Sequence, residues 1–327
     1  MQTTTHINSS SIRPDFGRQS LGQATVLDEV ADHLKNGRIA RALDHLFDDL
    51  TARREEDGGS WTRFARQCAS HPVRELLHTD PFTYRAFAKP RGYAGDAVMM
   101  DYIYGLGEAG EAARAATPLG RAIFQYMGGR PSARAVRFRR SLIASLLNSA
   151  AARPDARVLA IAAGHLREVE ISTAVREGRF TEFVAFDQDE ASLGVVSRDY
   201  GRMGITARPG SVRQILGGKA AFGEYDFVYA AGLYDYLSAP IGAALTRRMF
   251  DATRPGGMML IPNFLKGIAD SGYMEAFMDW SLIYRDHAEM RGLAAGLPAD
   301  QIADLQVFND PDDTIAFLLV TKADLIG

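Results

Sequence analysis

One cysteine in 327 residues, Cys68, excludes an internal disulfide framework and gives no cysteine-based zinc site. Histidine is sparse as well. The seven present are scattered, with no HExxH or HxxxH pair to set two imidazoles on one helix face, so no metal is implied. There is no excess of basic charge: 37 Lys+Arg stand against 40 Asp+Glu, a net charge of −3, which argues against a nucleic-acid partner. No apolar run approaches the roughly 20 residues of a membrane span. Residues 1–20 are polar and lack the apolar stretch of a signal peptide. The expectation is a soluble, cytoplasmic protein with a flexible tail over 1–20 and no membrane partner.

What is present divides into two textures. From 21 to 150 the pattern is helical, with Ile39, Leu43, Leu46 and Leu50 at spacings of three and four and Val136, Ile143 and Leu147 less regularly. Two punctuated segments interrupt it, Lys89-Pro-Arg-Gly-Tyr-Ala-Gly95 and Met127-Gly-Gly-Arg-Pro131. After Pro154, strand-like and helix-like runs alternate. Strands are predicted near 157–162, 182–187, 204–208, 225–231, 257–262, 303–309 and 314–321. That alternation implies an α/β fold with a mainly parallel sheet covered on both faces, and residues 151–327 as one domain behind a helical cap. Asn309-Asp-Pro-Asp-Asp313 joins the last two runs as a hairpin, which makes one edge strand antiparallel.

The segment Val158-Leu-Ala-Ile-Ala-Ala-Gly-His-Leu-Arg-Glu168 is the most informative. An apolar run ends at a small-residue turn around Gly164 and leads into helical sequence; about twenty residues later, Phe183-Val-Ala-Phe186 ends in Asp187. Strand, tight turn, helix, strand and acid is the layout of a nucleotide-binding βαβ unit, with the acid placed to accept ribose hydroxyls. A ligand with an adenosine part is the leading expectation.

Four segments carry a resemblance to the class I S-adenosylmethionine (SAM)-dependent methyltransferases: Val158–Glu168, Phe186-Asp187, the run Tyr225–Leu237, and Thr253-Arg-Pro-Gly-Gly-Met-Met-Leu-Ile261. The resemblance implies a Rossmann-like seven-stranded sheet with a C-terminal hairpin, and SAM as cofactor. Lys89–Tyr104 and Asp279-Trp-Ser-Leu-Ile-Tyr-Arg285 look like a bacterial subgroup with a helical N-terminal extension. That subgroup includes fatty-acid methyl ester biosynthesis methyltransferases, and the azetidine-2-carboxylate synthases of secondary metabolism resemble it. One departure stands out. Where the first motif reads acidic-x-Gly-x-Gly-x-Gly, this chain has Ala160, Ala162, Gly164 and Leu166, so the carboxylate that normally helps hold the methionine ammonium is absent.

Candidate residues follow, each beside a plainer reading. Ala162 and Gly164 would form the turn against the cofactor; otherwise they are a helix-initiating turn. Asp187 and the adjacent Gln188 would meet the ribose, against a solvated loop acid. Ser211 and Val212, after the third strand, would contact adenine. Ala231 and Gly232 end the fourth strand, where open α/β sheets place ligands. Tyr234 and Asp235 would shape the reaction centre, although Asp235 is equally suited to capping the next helix. Arg91, in a loop with a possible Arg91–Asp96 ion pair, would grip the cofactor carboxylate, and Tyr93 would join the catalytic set. Tyr284 would do the same, with Arg285 a bidentate carboxylate clamp or a helix ion pair. Asn263 would face substrate or form a turn. The arginines at 130, 134, 137, 139 and 140 read as a solvated helix face, and His165 has no acid partner in sequence.

The expected function is methyl transfer from SAM to a small carboxylate or hydroxyl acceptor. The alternatives are cyclisation of SAM itself, giving azetidine-2-carboxylate and methylthioadenosine, and a non-catalytic SAM-binding module.

Overall fold

The computed structural model describes residues 25–55 and 59–324. The expected tail over 1–20 lies outside them.

Helices occupy most of the chain from Val26 to Ala150, and local sequence explains where they start and stop. Thr25 and Asp28 form a capping box on Val26–Lys35. Asp80 accepts from the backbone amides of Phe82 and Thr83 at the head of Pro81–Ala88. Asp96 caps Ala97–Tyr104, which Gly105 ends in the left-handed conformation. In the helix Ile39–Glu55, Leu43, Leu46 and Leu50 are buried as their spacing predicts, with Ile39 packed at the margin. The same core takes in Tyr273 and Phe277 from the helix Ser271–Phe277, far along the chain; the Phe47 and Tyr273 rings stack with centroids 5.0 Å apart.

The sheet has seven strands: β1 (Arg157–Ile161), β2 (Glu182–Asp187), β3 (Ile205–Pro209), β4 (Tyr225–Tyr229), β5 (Thr253–Phe264), β6 (Ile302–Asn309) and β7 (Ile315–Lys322). Their order is β3-β2-β1-β4-β5-β7-β6. The first five run parallel, and β7 is antiparallel to both its neighbours. This is the seven-stranded Rossmann-like arrangement that the methyltransferase resemblance implies, and all seven expected strands are present. The fifth strand, expected near 257–262, begins earlier: the Thr253-Arg-Pro-Gly-Gly stretch opens β5, with an irregular register against β4 between Tyr225 and Phe227. The hairpin turn is held by Asp310, whose carboxylate accepts from the amides of Asp312, Thr314 and Ile315.

Both faces of the sheet are covered. Val136, Ile143 and Leu147 of the helix Pro131–Ala150 pack with Phe227 and Phe317 on one side. Leu245 and Met249 of Ala239–Asp251 pack with Val228 and Ile261 on the other. Strand order reverses at β1, between β2 and β4. The carboxyl ends of those strands are the switch point where open α/β sheets bind ligands.

Candidate active site

Beyond β1 the backbone turns through Ala162 (φ 52°), Gly164 (φ 55°) and Leu166 (φ 53°), all left-handed. These are the three positions where the resemblance expects glycine. The chain therefore keeps the glycine conformation at two positions that have lost the glycine, against a cost of roughly 1–2 kcal/mol per L-residue. Backbone strain of this kind persists where the surroundings over-determine it, as at ligand sites. Part of what holds the turn is Asp187. The Gly164 amide donates to its Oδ2 at 2.8 Å and the Asp189 amide to its Oδ1 at 2.8 Å. Asp187 is buried, and burial raises its pKa against those amide bonds. A carboxylate has about four lone-pair sites, so two remain for a ligand.

A cavity of about 400 Å³ opens at this point, within the usual range for small-molecule sites. Its wall includes Ala162, Gly164, Asp187, Gln188, Ser211, Val212, Ala231, Gly232, Asp235 and Tyr93, so ten of the sequence-derived candidates meet in one place. At the Asp187 end, Phe186 and the Gly210–Val212 turn pack against each other and together line the cavity. A side chain at Gly210 would overlap the Phe186 ring, and a Ser211–Gln214 capping box fixes the following helix.

The loop 89–96 covers the cavity but not with the contacts expected. Asp96 pairs with Arg85 at 2.6 Å rather than with Arg91. Arg91 turns its Nη1 to Asp189 (2.9 Å), Ser192 (3.0 Å) and His165 (3.4 Å) and is not part of the cavity wall. Tyr93 does reach the wall. Its hydroxyl pKa is pushed up to about 12 by burial and by the nearby carboxylates of Asp187, Asp189 and Asp96. Gly92 is needed for its backbone (φ 88°) and Gly95 for space: a side chain there would overlap the Tyr236 hydroxyl and lie 2.7 Å from the Trp280 ring. Trp280 in turn donates its indole N–H to Tyr236 at 2.9 Å. Both aromatics line the cavity, and sequence reasoning missed them.

Four other candidates lie away from the cavity. Tyr234 is fully buried under the helix Ala239–Asp251, bonded to Thr246 (3.0 Å) and the Met249 sulfur (3.3 Å), which makes it a core residue. Arg285 donates to the backbone carbonyls of Tyr234 and Leu237 and to the Asn263 side chain, so its guanidinium braces loops. Asn263 donates to the carbonyls of Phe264 and Ile283 and does not face the cavity. The Tyr284 hydroxyl is buried without a hydrogen-bond partner, its ring under the Arg54 guanidinium. Asp235 stays in the wall but caps no helix; Ser238 holds that position. Its Oδ1 accepts from the Phe264 amide at 2.7 Å, and burial pushes its pKa up to about 6 despite that bond and the charges of Arg139 and Arg285.

In the arginine row, expected as a solvated face, only Arg134 is exposed. Arg130 pairs with Asp270 and Arg140 with Glu170, both largely buried, and Arg139 is 5% exposed and lines the cavity. The sequence carried a signal for this, since Arg139 lies three residues after Val136 and four before Ile143, on the apolar stripe of its helix. Glu168 is another missed wall residue, buried and accepting from the Tyr229 hydroxyl at 2.7 Å. His165, for which the sequence offered no acid partner, finds Asp101 at 2.8 Å across 64 positions. Burial works to raise the Asp101 pKa, but hydrogen bonds from Arg167 and His165 outweigh it and hold the carboxyl low. These contacts tie the helix Ala97–Tyr104 to the turn after β1.

No protein-family model matches the chain, and no curated protein matches its sequence. Solved structures are similar in fold. The crystal structure of a "possible exported protein" from Bordetella parapertussis superposes with a TM-score of 0.58 at 17% identity, covering 85% of this chain and 97% of that one. That likeness extends to the fold alone. The S-adenosylmethionine-dependent methyltransferase SibL in its apo form gives a TM-score of 0.46 at 15% identity, over 74% of each chain. The N-methyltransferase NodS from Bradyrhizobium japonicum WM9, in complex with S-adenosylhomocysteine, gives 0.43 at 12% identity, over 60% of this chain and 90% of that one.

Proposed function

We propose that the chain binds SAM in the switch-point cavity and transfers its methyl group to a small-molecule acceptor bearing a carboxylate or hydroxyl. The observation that carries this reading is Asp187. Its carboxylate stands at the end of β2 on the cavity wall, fixed by the amides of Gly164 and Asp189. It is thereby oriented to accept the ribose hydroxyls, with the Ser211–Val212 wall beside it for adenine and the left-handed turn at 162–166 supporting the chain beyond. The sulfonium supplies an already activated methyl group. The protein's task is to align the acceptor and exclude water, for which Tyr93, Tyr236 and Trp280 provide a covering wall. A carboxylate acceptor needs no general base.

One observation favours a second reading, cyclisation of SAM. Glu168 is a buried cavity carboxylate whose pKa is raised by that burial. Such a group suits accepting the proton that the amine releases as it attacks the γ-carbon and the Cγ–S bond breaks, leaving methylthioadenosine. Incubating the protein with SAM alone, followed by mass spectrometry of adenosine products, separates the two. Intact SAM is expected, with S-adenosylhomocysteine appearing only once an acceptor is added. Enzyme-dependent methylthioadenosine with a matching C4 amino acid would overturn methyl transfer in favour of cyclisation.

A further inference from the structure

Arg139 is the exception among its neighbours. Arg130, Arg134 and Arg140 each have a carboxylate at ion-pair distance, and Arg137 donates to the carbonyls of Ile103 and Gly128. Arg139 is more deeply buried than most of them, yet among the described residues it has no carboxylate within 4.0 Å. Its partners are neutral, the sulfur of Met100 at 3.3 Å and the Tyr104 hydroxyl, for a group with five donors. Burying a cation without a counter-charge costs several kcal/mol in general, so a guanidinium in a cavity wall with neutral partners alone is suited to receive an anion. The room for one is the cavity of about 400 Å³ that Arg139 lines; beside it stands Gly232, where an added Cβ would sit 3.6 Å from Nη1.

Glu168 is the mirror case. It is 6% exposed and lines the same cavity, and among the described residues no cation lies within ion-pair distance of it. The Tyr229 hydroxyl satisfies Oε1; Arg139 and Arg140 act on the carboxylate only from a distance. A buried cation and a buried anion that share one cavity without pairing are complementary to a ligand carrying both charges a short way apart. An α-amino acid is such a ligand. This also answers the loss of the first-motif acid. With Ala160 where that carboxylate would be, the ammonium needs another partner, and Glu168 sits just beyond the turn, eight residues on.

We propose that Arg139 and Glu168 form the recognition site for the α-amino-acid end of the bound nucleoside, Arg139 taking the carboxylate and Glu168 the ammonium. This rests on the SAM reading, and the test separates the two. Calorimetry on the full chain compares S-adenosylhomocysteine, its decarboxylated analogue and methylthioadenosine, which lacks the amino-acid end. Arg139→Gln and Glu168→Gln should each weaken S-adenosylhomocysteine binding about 10- to 100-fold, the scale of lost charge-assisted hydrogen bonds. Methylthioadenosine should bind all proteins within about threefold, which also shows that the adenosine half of each variant is folded. The decarboxylated analogue should be insensitive to Arg139→Gln but not to Glu168→Gln. Arg139→Lys, which keeps the charge without the fork, should fall between. Unchanged S-adenosylhomocysteine affinity in the variants, or equal loss for all three ligands, would overturn the assignment and leave the cofactor reading standing. A wild-type protein that binds none of them would overturn both.

Discussion

The backbone amide of Gly164 donates to the Asp187 carboxylate at 2.8 Å, so the turn after β1 and the end of β2 are one hydrogen-bonded unit. A group that would hold the ligand also holds the loop that would receive it.

Removing that carboxylate should therefore register twice. Asp187→Ala is expected to weaken S-adenosylhomocysteine binding by roughly 1–3 kcal/mol and to lower folding stability by about 1 kcal/mol, the scale of lost hydrogen bonds at a buried site. Calorimetry and urea unfolding measure the two separately. Unchanged affinity would take Asp187 out of the ligand site, whatever happens to stability.

Gly95 is predicted to be intolerant of any side chain. Gly95→Ala places a methyl group against the Tyr236 hydroxyl and the Trp280 ring, and relieving the overlap breaks the Trp280–Tyr236 hydrogen bond. Overpacking of this kind costs about 1–3 kcal/mol. A lowered urea midpoint with altered tryptophan emission is expected; a variant with wild-type emission and midpoint would show that the loop does not close on these rings.

The pH dependence of stability should carry the signature of Asp235. Its folded pKa of about 6 lies above the ordinary 3.8 because of burial, so between about pH 4 and 6 the folded state binds the proton that the unfolded state has released. Stability from this group is present at low pH and is lost as pH rises through 6. Asp235→Asn keeps an acceptor for the Phe264 amide and removes the charge. At pH 8 it should be more stable than wild type by on the order of 2–3 kcal/mol, with the difference vanishing near pH 4. Asp80, raised to about 6 by its own burial, is common to both proteins and cancels in the comparison. Denaturant titrations from pH 4 to 8 read this out, and a constant difference across that range would refute it.

The strands were legible because buried parallel strands are written as short continuous apolar runs, such as Phe183–Phe186. Asp187, Gly164 and Ser211 were legible for a related reason: in this fold the site is assembled from strand ends, whose sequence positions are fixed by the strands. The opposite wall was not. Arg139 and Trp280 reach the cavity from helical and loop segments whose docking depends on contacts over more than a hundred residues, and five arginines in eleven positions resemble a wet surface until the packing of one helix places Arg139 inward. Tyr234 and Arg285 erred the other way. They have the right chemistry and the right neighbourhood in sequence, but Tyr234 turns under a helix and Arg285 spends its donors on carbonyls.

The helix Ser271–Phe277 packs with helices encoded more than 150 residues earlier. During synthesis the chain from 25 to 150 emerges first, but the Tyr273 and Phe277 rings that complete its core are not yet made. That core is complete in composition only once the first five strands have also been made. Cutting the chain at the apparent boundary near 150 would separate the helices from part of their own interior.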